Sequence, residues 1–202
     1  MDWLINILIA ILRPALGLII LAGLLLFWIL KRKLLRENSL KLITYIFSGA
    51  IIFQSIFSTI LNWWLWSQQG ITQRFLPPYS SINYVLGYSW QHYWFESIIT
   101  ILTAIAVFFA IAFLNKRFEN CLFYDEEKYL AALGILAVGW PNCLIFLSLV
   151  LFLGVLFHLI SLFFNKESER LSLLYFWLPC ALLILLLGDI ISKYIGINQF
   201  II

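Results

Sequence analysis

Charge is scarce in this chain. Asp, Glu, Lys and Arg make up 11% of the residues, there are two histidines, and no carboxylate falls between Glu37 and Glu96. A soluble domain is about a quarter charged, so the composition excludes an ordinary water-facing globule. The net charge of +3 is small and dispersed, which excludes a nucleic-acid face, because phosphate binding needs lysine and arginine gathered on one surface. The three cysteines, Cys121, Cys143 and Cys180, form no CxxC pair and no metal-ligand spacing. Cys143 and Cys180 fall inside apolar segments and read as small packed hydrophobes. His92 and His158 stand on different segments, and there is no Ser-His-Asp arrangement, phosphate loop or dinucleotide fingerprint. No metal and no cofactor is expected.

What is abundant is apolar surface. Hydrophobic residues reach 63% of 202, which reads as an all-α, polytopic integral membrane protein with about five or six spans of roughly 20 residues each. The spans expected are 15–30, 42–66, 94–114, 129–164 and 171–194, within a single transmembrane helical domain. The fourth is broken or re-entrant, because Tyr129 to Val138 is too short to cross alone and is interrupted at Gly139-Trp140-Pro141. The basic residues of the amino-terminal third follow an apolar run instead of preceding it, so a cleaved signal peptide is not expected.

Lys31, Arg32, Lys33, Arg36 and Lys41 crowd the first connection, whereas 67–93 holds only Arg74. By the positive-inside rule the first connection faces the cytoplasm and the second the opposite side. The segment 67–93 reads as an aromatic interfacial loop: Tyr79, Tyr84, Tyr88, Trp90 and Tyr93 surround polar residues, as at headgroup level or on a contact surface for lipid, quinone or a partner peptide.

Charge meets apolar sequence at one place, Phe123 to Trp140, where Asp125, Glu126, Glu127 and Lys128 run into a glycine-punctuated apolar segment. Acids there suit a helix N-terminus, whose dipole favours negative charge. They are equally candidates for acid–base chemistry. Glu96, at the start of a span, and Asp189, near the end of the last one, are the other acids close to membrane sequence. Such groups face a bundle interior, a water pocket or a partner, and Lys193 is placed to pair with Asp189 at i+4.

From Asp125 onward the order Lys128, Leu130, Ala131, Ala132, Leu133, Gly134, Gly139, Trp140, then Gly154, Phe176, Pro179, Gly188 and Asp189 resembles the carboxy-terminal half of prepilin peptidases, the membrane aspartic proteases that trim pilin and pseudopilin leaders. The resemblance implies a bacterial inner-membrane protein whose partner is a pilin-like precursor. It places the second catalytic acid at Glu126, with Asp125 displaced by one, and makes Glu96, Asp189 and Trp140 candidate binding residues. The departures are specific. Phe123 and Tyr124 replace turn glycines, and the position matching the first acid, near Gly70, carries no carboxylate. The expectation is therefore a catalytically degenerate relative that binds apolar leader helices without cleaving them, with Glu96 or Asp189 needed as a stand-in if it is active. The competing expectation is a non-catalytic subunit that scaffolds a larger secretion, respiratory or transport complex with other membrane subunits.

Overall fold

A computed structural model describes residues 15, 17–26, 37–68, 70, 72–118, 123–163 and 173–196, apart from the side chains of 161, 162, 174, 189 and 195. The described residues are mostly helical, with no strand among them: α1 (Gly17–Leu26), α2 (Glu37–Gln68), a 3-10 turn at Thr72–Phe75, α3 (Ile82–Ser89), a π turn at Trp90–Trp94, α4 (Phe95–Arg117), α5 (Glu127–Val138), α6 (Asn142–Phe163) and α7 (Leu174–Ile195). Three stretches are long and apolar enough to cross a membrane: Glu37–Gln68, Ile82–Arg117 and Asn142–Ile160. The expected five or six spans are not reached among the described residues. Gly17–Leu26 and the Tyr175–Gly188 part of α7 are shorter apolar helices, and α5 has only 12 residues. At 1.5 Å per residue α5 is about 18 Å long, against a hydrocarbon core of about 30 Å.

The local reasons for these helices are plain. From Phe95 to Arg117 there is no glycine or proline, Glu96 lies in the first turn, and Lys116 and Arg117 lie in the last, so the end charges complement the helix dipole. The segment 67–93 departs from the loop expected of it. Ile82 onward is already helix, and the π turn carries that helix into α4 without a break. Its aromatic residues fold onto the end of α2, where Trp66, Leu76 and Val85 make a small second core packed by Tyr88.

Small polar residues join α2 to α4. Ser55 Oγ donates to Ser97 Oγ at 3.0 Å, and Trp94 Nε1 donates to Thr59 Oγ1 at 3.1 Å. In an apolar medium such residues let two backbones approach closely and supply directional bonds between them. The outer faces are apolar: Phe53, Phe109 and Phe152 are 67%, 64% and 61% exposed, a surface suited to lipid rather than water.

The centre of the bundle is α5. Ten of its 12 residues are buried, and α2, α4, α6 and α7 all pack against it. It runs antiparallel to α4, with Tyr129 edge-on to Phe108 at 5.2 Å between ring centres, and Trp140 N donating to Thr100 Oγ1 at 3.0 Å. It stops at Gly139, whose φ of 78° is a left-handed angle that favours glycine, and the chain doubles back through Pro141 into α6. Phe146 of α6 then lies against Gly134 of α5.

That approach leaves no room for a side chain. A Cβ built on Gly134 would sit 2.6 Å from Phe146 Cζ and 3.0 Å from its Cε1. Phe146 is fully buried, so its ring has nowhere to retreat. Gly134→Ala is expected to destabilise the protein by about 1–3 kcal/mol, read as a lowered melting temperature in detergent; an unchanged melting temperature would mean that the α5–α6 contact is looser than described.

Candidate functional site

The acidic cluster opens α5, and the helix separates its members. Asp125 and Glu126 form the turn before α5, Asp125 exposed and Glu126 half-buried, while Glu127 is the first helical residue and is completely enclosed. The sequence had placed acids at a helix mouth, as found, but singled out Glu126 and Asp125. The acid that the fold takes inside is Glu127. Neighbours in a helix do not face each other, so burying one of the three leaves the others turned away from it.

Glu127 is held on both oxygens. Trp177 Nε1 of α7 donates to Oε2 at 3.2 Å and the Tyr124 backbone N–H to Oε1 at 3.3 Å; the Leu173 backbone adds a further bond. Phe146 packs on the far side of Trp177, with 5.9 Å between ring centres. Loss of water pushes the Glu127 carboxyl up to about 7 from the ordinary 4.5. The bonds to Trp177, Tyr124 and Leu173 pull against that shift, and the neighbouring Glu126 charge adds to it. Burial wins because a carboxylate in a dry interior loses more hydration than a few N–H donors restore.

Around the mouth of α5 the remaining charges sit nearer the surface. Lys128 Nζ reaches Glu37 Oε1 at 3.1 Å, tying the start of α5 to the start of α2. Phe123 N donates to Asn115 Oδ1 at 3.1 Å, which fastens the turn to the last turns of α4. The acidic cluster and the aromatic core at Trp66 therefore occupy opposite ends of α2.

The other candidate residues lie at the far end of α5. Glu96 is half-buried one turn before Thr100, whose Oγ1 donates to the Glu96 carbonyl at 2.7 Å while accepting from Trp140 N. Trp140 is half-buried, and its indole Nε1 is enclosed with no hydrogen-bond partner among the described residues. Asp189 follows Gly188, which packs against Asn142 beside the α5–α6 turn; the Asp189 side chain lies outside the described residues, and with it the expected pair to Lys193. Glu96 and the backbone of Asp189 are thus about the length of α5 away from Asp125 and Glu126, roughly 18 Å. The fold brings neither of them to the acidic cluster. Among the described residues no group of three or more His, Cys, Asp or Glu is placed to hold a metal.

Two crevices flank α5 on its α4 side. One, of about 350 Å³, is lined by Thr44 of α2, Ile101, Ala104 and Phe108 of α4, and Ala132 and Leu136 of α5. The other, of about 180 Å³, is lined by Ile111, Asn115 and Lys116 of α4 with Tyr124, Asp125 and Lys128. Neither was visible in the sequence, since a gap between helices depends on how three separate faces meet.

A raised carboxyl has a defined effect on stability. Between pH 4.5 and 7 the folded protein holds a proton on Glu127 that the unfolded chain has released, so stability falls as pH rises through this window and levels off above it. The expected difference is on the order of 3 kcal/mol. Melting in detergent from pH 5 to 8 should show this fall in the wild type and lose most of it in Glu127→Gln; parallel curves for the two proteins would assign the dependence to another group. No family model, no curated protein and no solved structure matches the chain, so its function has to be read from these residues themselves.

Proposed function

We propose that this protein is a prepilin-peptidase-like membrane component of a bacterial inner membrane that binds apolar helices within the bilayer and does not cut them. The observation that supports the second half of the reading is the fate of the acids. An aspartic peptidase works through two carboxylates that share one proton, one activating water while the other protonates the substrate. Here Glu127 is enclosed with both oxygens engaged by N–H donors, Asp125 and Glu126 lie on the outer turn, and Glu96 is near the other end of α5. Support for the first half is compositional and geometric: long apolar helices with exposed aromatic and aliphatic faces and a central half-length helix where the peptidase resemblance places its second acid.

A second reading, a scaffold subunit of a larger membrane complex, is favoured by the aromatic end of the bundle. Tyr79, Tyr84 and Trp90 are exposed there, and tyrosine and tryptophan dominate contact hot spots.

Co-expression with a pilin-type precursor carrying a photo-crosslinker in its apolar leader distinguishes these readings. The expected result is a crosslink to a full-length leader, in the same yield for the double variant Asp125→Asn/Glu126→Gln. Trimming by the wild type that the double variant loses would overturn the non-cleaving reading. A leader that fails to crosslink, together with fixed-stoichiometry partners on gentle co-purification, would favour the scaffold.

A further inference from the structure

The polar seam between α2 and α4 continues past Trp94 to two side chains that the fold encloses. Asn62 of α2 is 8% exposed and Ser89 of α3 is 1% exposed. Among the described residues, Asn62 Nδ2 and Ser89 Oγ have no hydrogen-bond partner. The Ser55–Ser97 bond fixes the register of the two antiparallel segments. From that bond Asn62 lies seven residues onward, about 10.5 Å, and Ser89 lies eight residues back, about 12 Å. The pair therefore shares one level of the seam, next to the turn where Trp66 packs on Tyr88 at 5.0 Å between ring centres.

Ser89 differs from the other hydroxyls of this seam. Ser55, Ser58, Thr59, Ser97 and Thr100 each donate to the carbonyl four residues earlier, which is how a hydroxyl within a helix satisfies itself. Ser89 has Val85 in the same relation and makes no such bond. Across from it stands an amide N–H that needs an acceptor, in surroundings where an unmade bond is costly.

We propose that one water molecule is bound between Asn62 and Ser89 and joins α2 to α3 at this level. Its oxygen accepts the Asn62 Nδ2–H, and one of its own O–H groups donates to Ser89 Oγ. Polar partners on both sides of an enclosed gap are what a buried water requires. Charge and enclosure set the class of ligand. No Asp, Glu, Lys or Arg stands between Lys41 and Arg74 or between Arg74 and Glu96, so neither helix offers a counter-charge to an ion at this level. A larger neutral molecule would have to part Trp66, Val85 and Tyr88, which pack together one turn away.

Melting of the full-length protein in detergent gives the first test, with Asn62→Leu, Ser89→Ala and the double variant. Each single change should lower the melting temperature by about 2–4 °C, the scale of one ordinary hydrogen bond in a chain of this size. The double variant should fall by less than the sum of the two, because the second change removes a partner from a water already lost. A rise in either single variant would mean that the atoms are simply unpaired, and additive losses would mean that they share no ligand; both outcomes overturn the site. The second test is a crystal structure of the wild type from a lipid phase, at a resolution that shows ordered water. A single density peak within hydrogen-bond distance of Asn62 Nδ2 and Ser89 Oγ is expected. A direct bond between the two side chains, or a larger molecule between them, would overturn the proposal even if the melting results were coupled.

Discussion

A helix too short to cross a bilayer cannot lie bare in one, and this constraint on α5 shapes most of the bundle. Its backbone bonds are made internally except at the two ends, where lipid offers no partner. The structure meets the need from the neighbouring helices. Thr100 of α4 takes the Trp140 N–H just beyond the inner end, and Asn115 of α4 takes the Phe123 N–H just before the outer one. The sides are covered by α2, α4, α6 and α7. Remove any of these walls and the apolar sides of the helix are left facing water, or the carboxyl at its mouth is left facing lipid that cannot satisfy it.

The same enclosure explains why Glu127 differs from the two acids before it. One peptide unit separates it from Glu126, yet it alone turns inward, and its charge is suppressed by the dry surroundings that the walls create. Trp177 compensates in part. Its indole N–H meets the carboxyl, and its ring lies against Phe146, so one side chain satisfies a polar group and fills apolar volume. This is an acid at a helix start carried to an extreme degree of burial, and among the described residues no hydrogen bond links a second carboxylate to it.

Much of this was legible in the residues. The apolar runs located α2, α4 and α6, and Gly139-Trp140-Pro141 marked the end of α5 because that combination cannot continue a helix. Choosing Glu127 over Glu126 was not legible. An amphipathic helix reveals its inner face by periodicity, and α5 is apolar on every side, so its sequence carries no phase. The helix from Ile82 to Trp94 was missed for a related reason: it lies where polar and aromatic residues mix, and its helicity comes from packing on Trp66 and from continuity with α4. The tie between Glu37 and Lys128 and the crevices along α4 depend on segments far apart in the chain, and nothing local announces them.

The bond between Trp177 and Glu127 spans 50 positions of sequence, which bears on the order in which the protein is made. A ribosome delivers α5 well before α7, so for that interval the mouth of α5 lacks the donor that later holds its carboxyl. The enclosure of α5 is thus complete only once α7 is in place, because its Trp177 indole supplies a bond that no earlier part of the chain provides to that oxygen among the described residues.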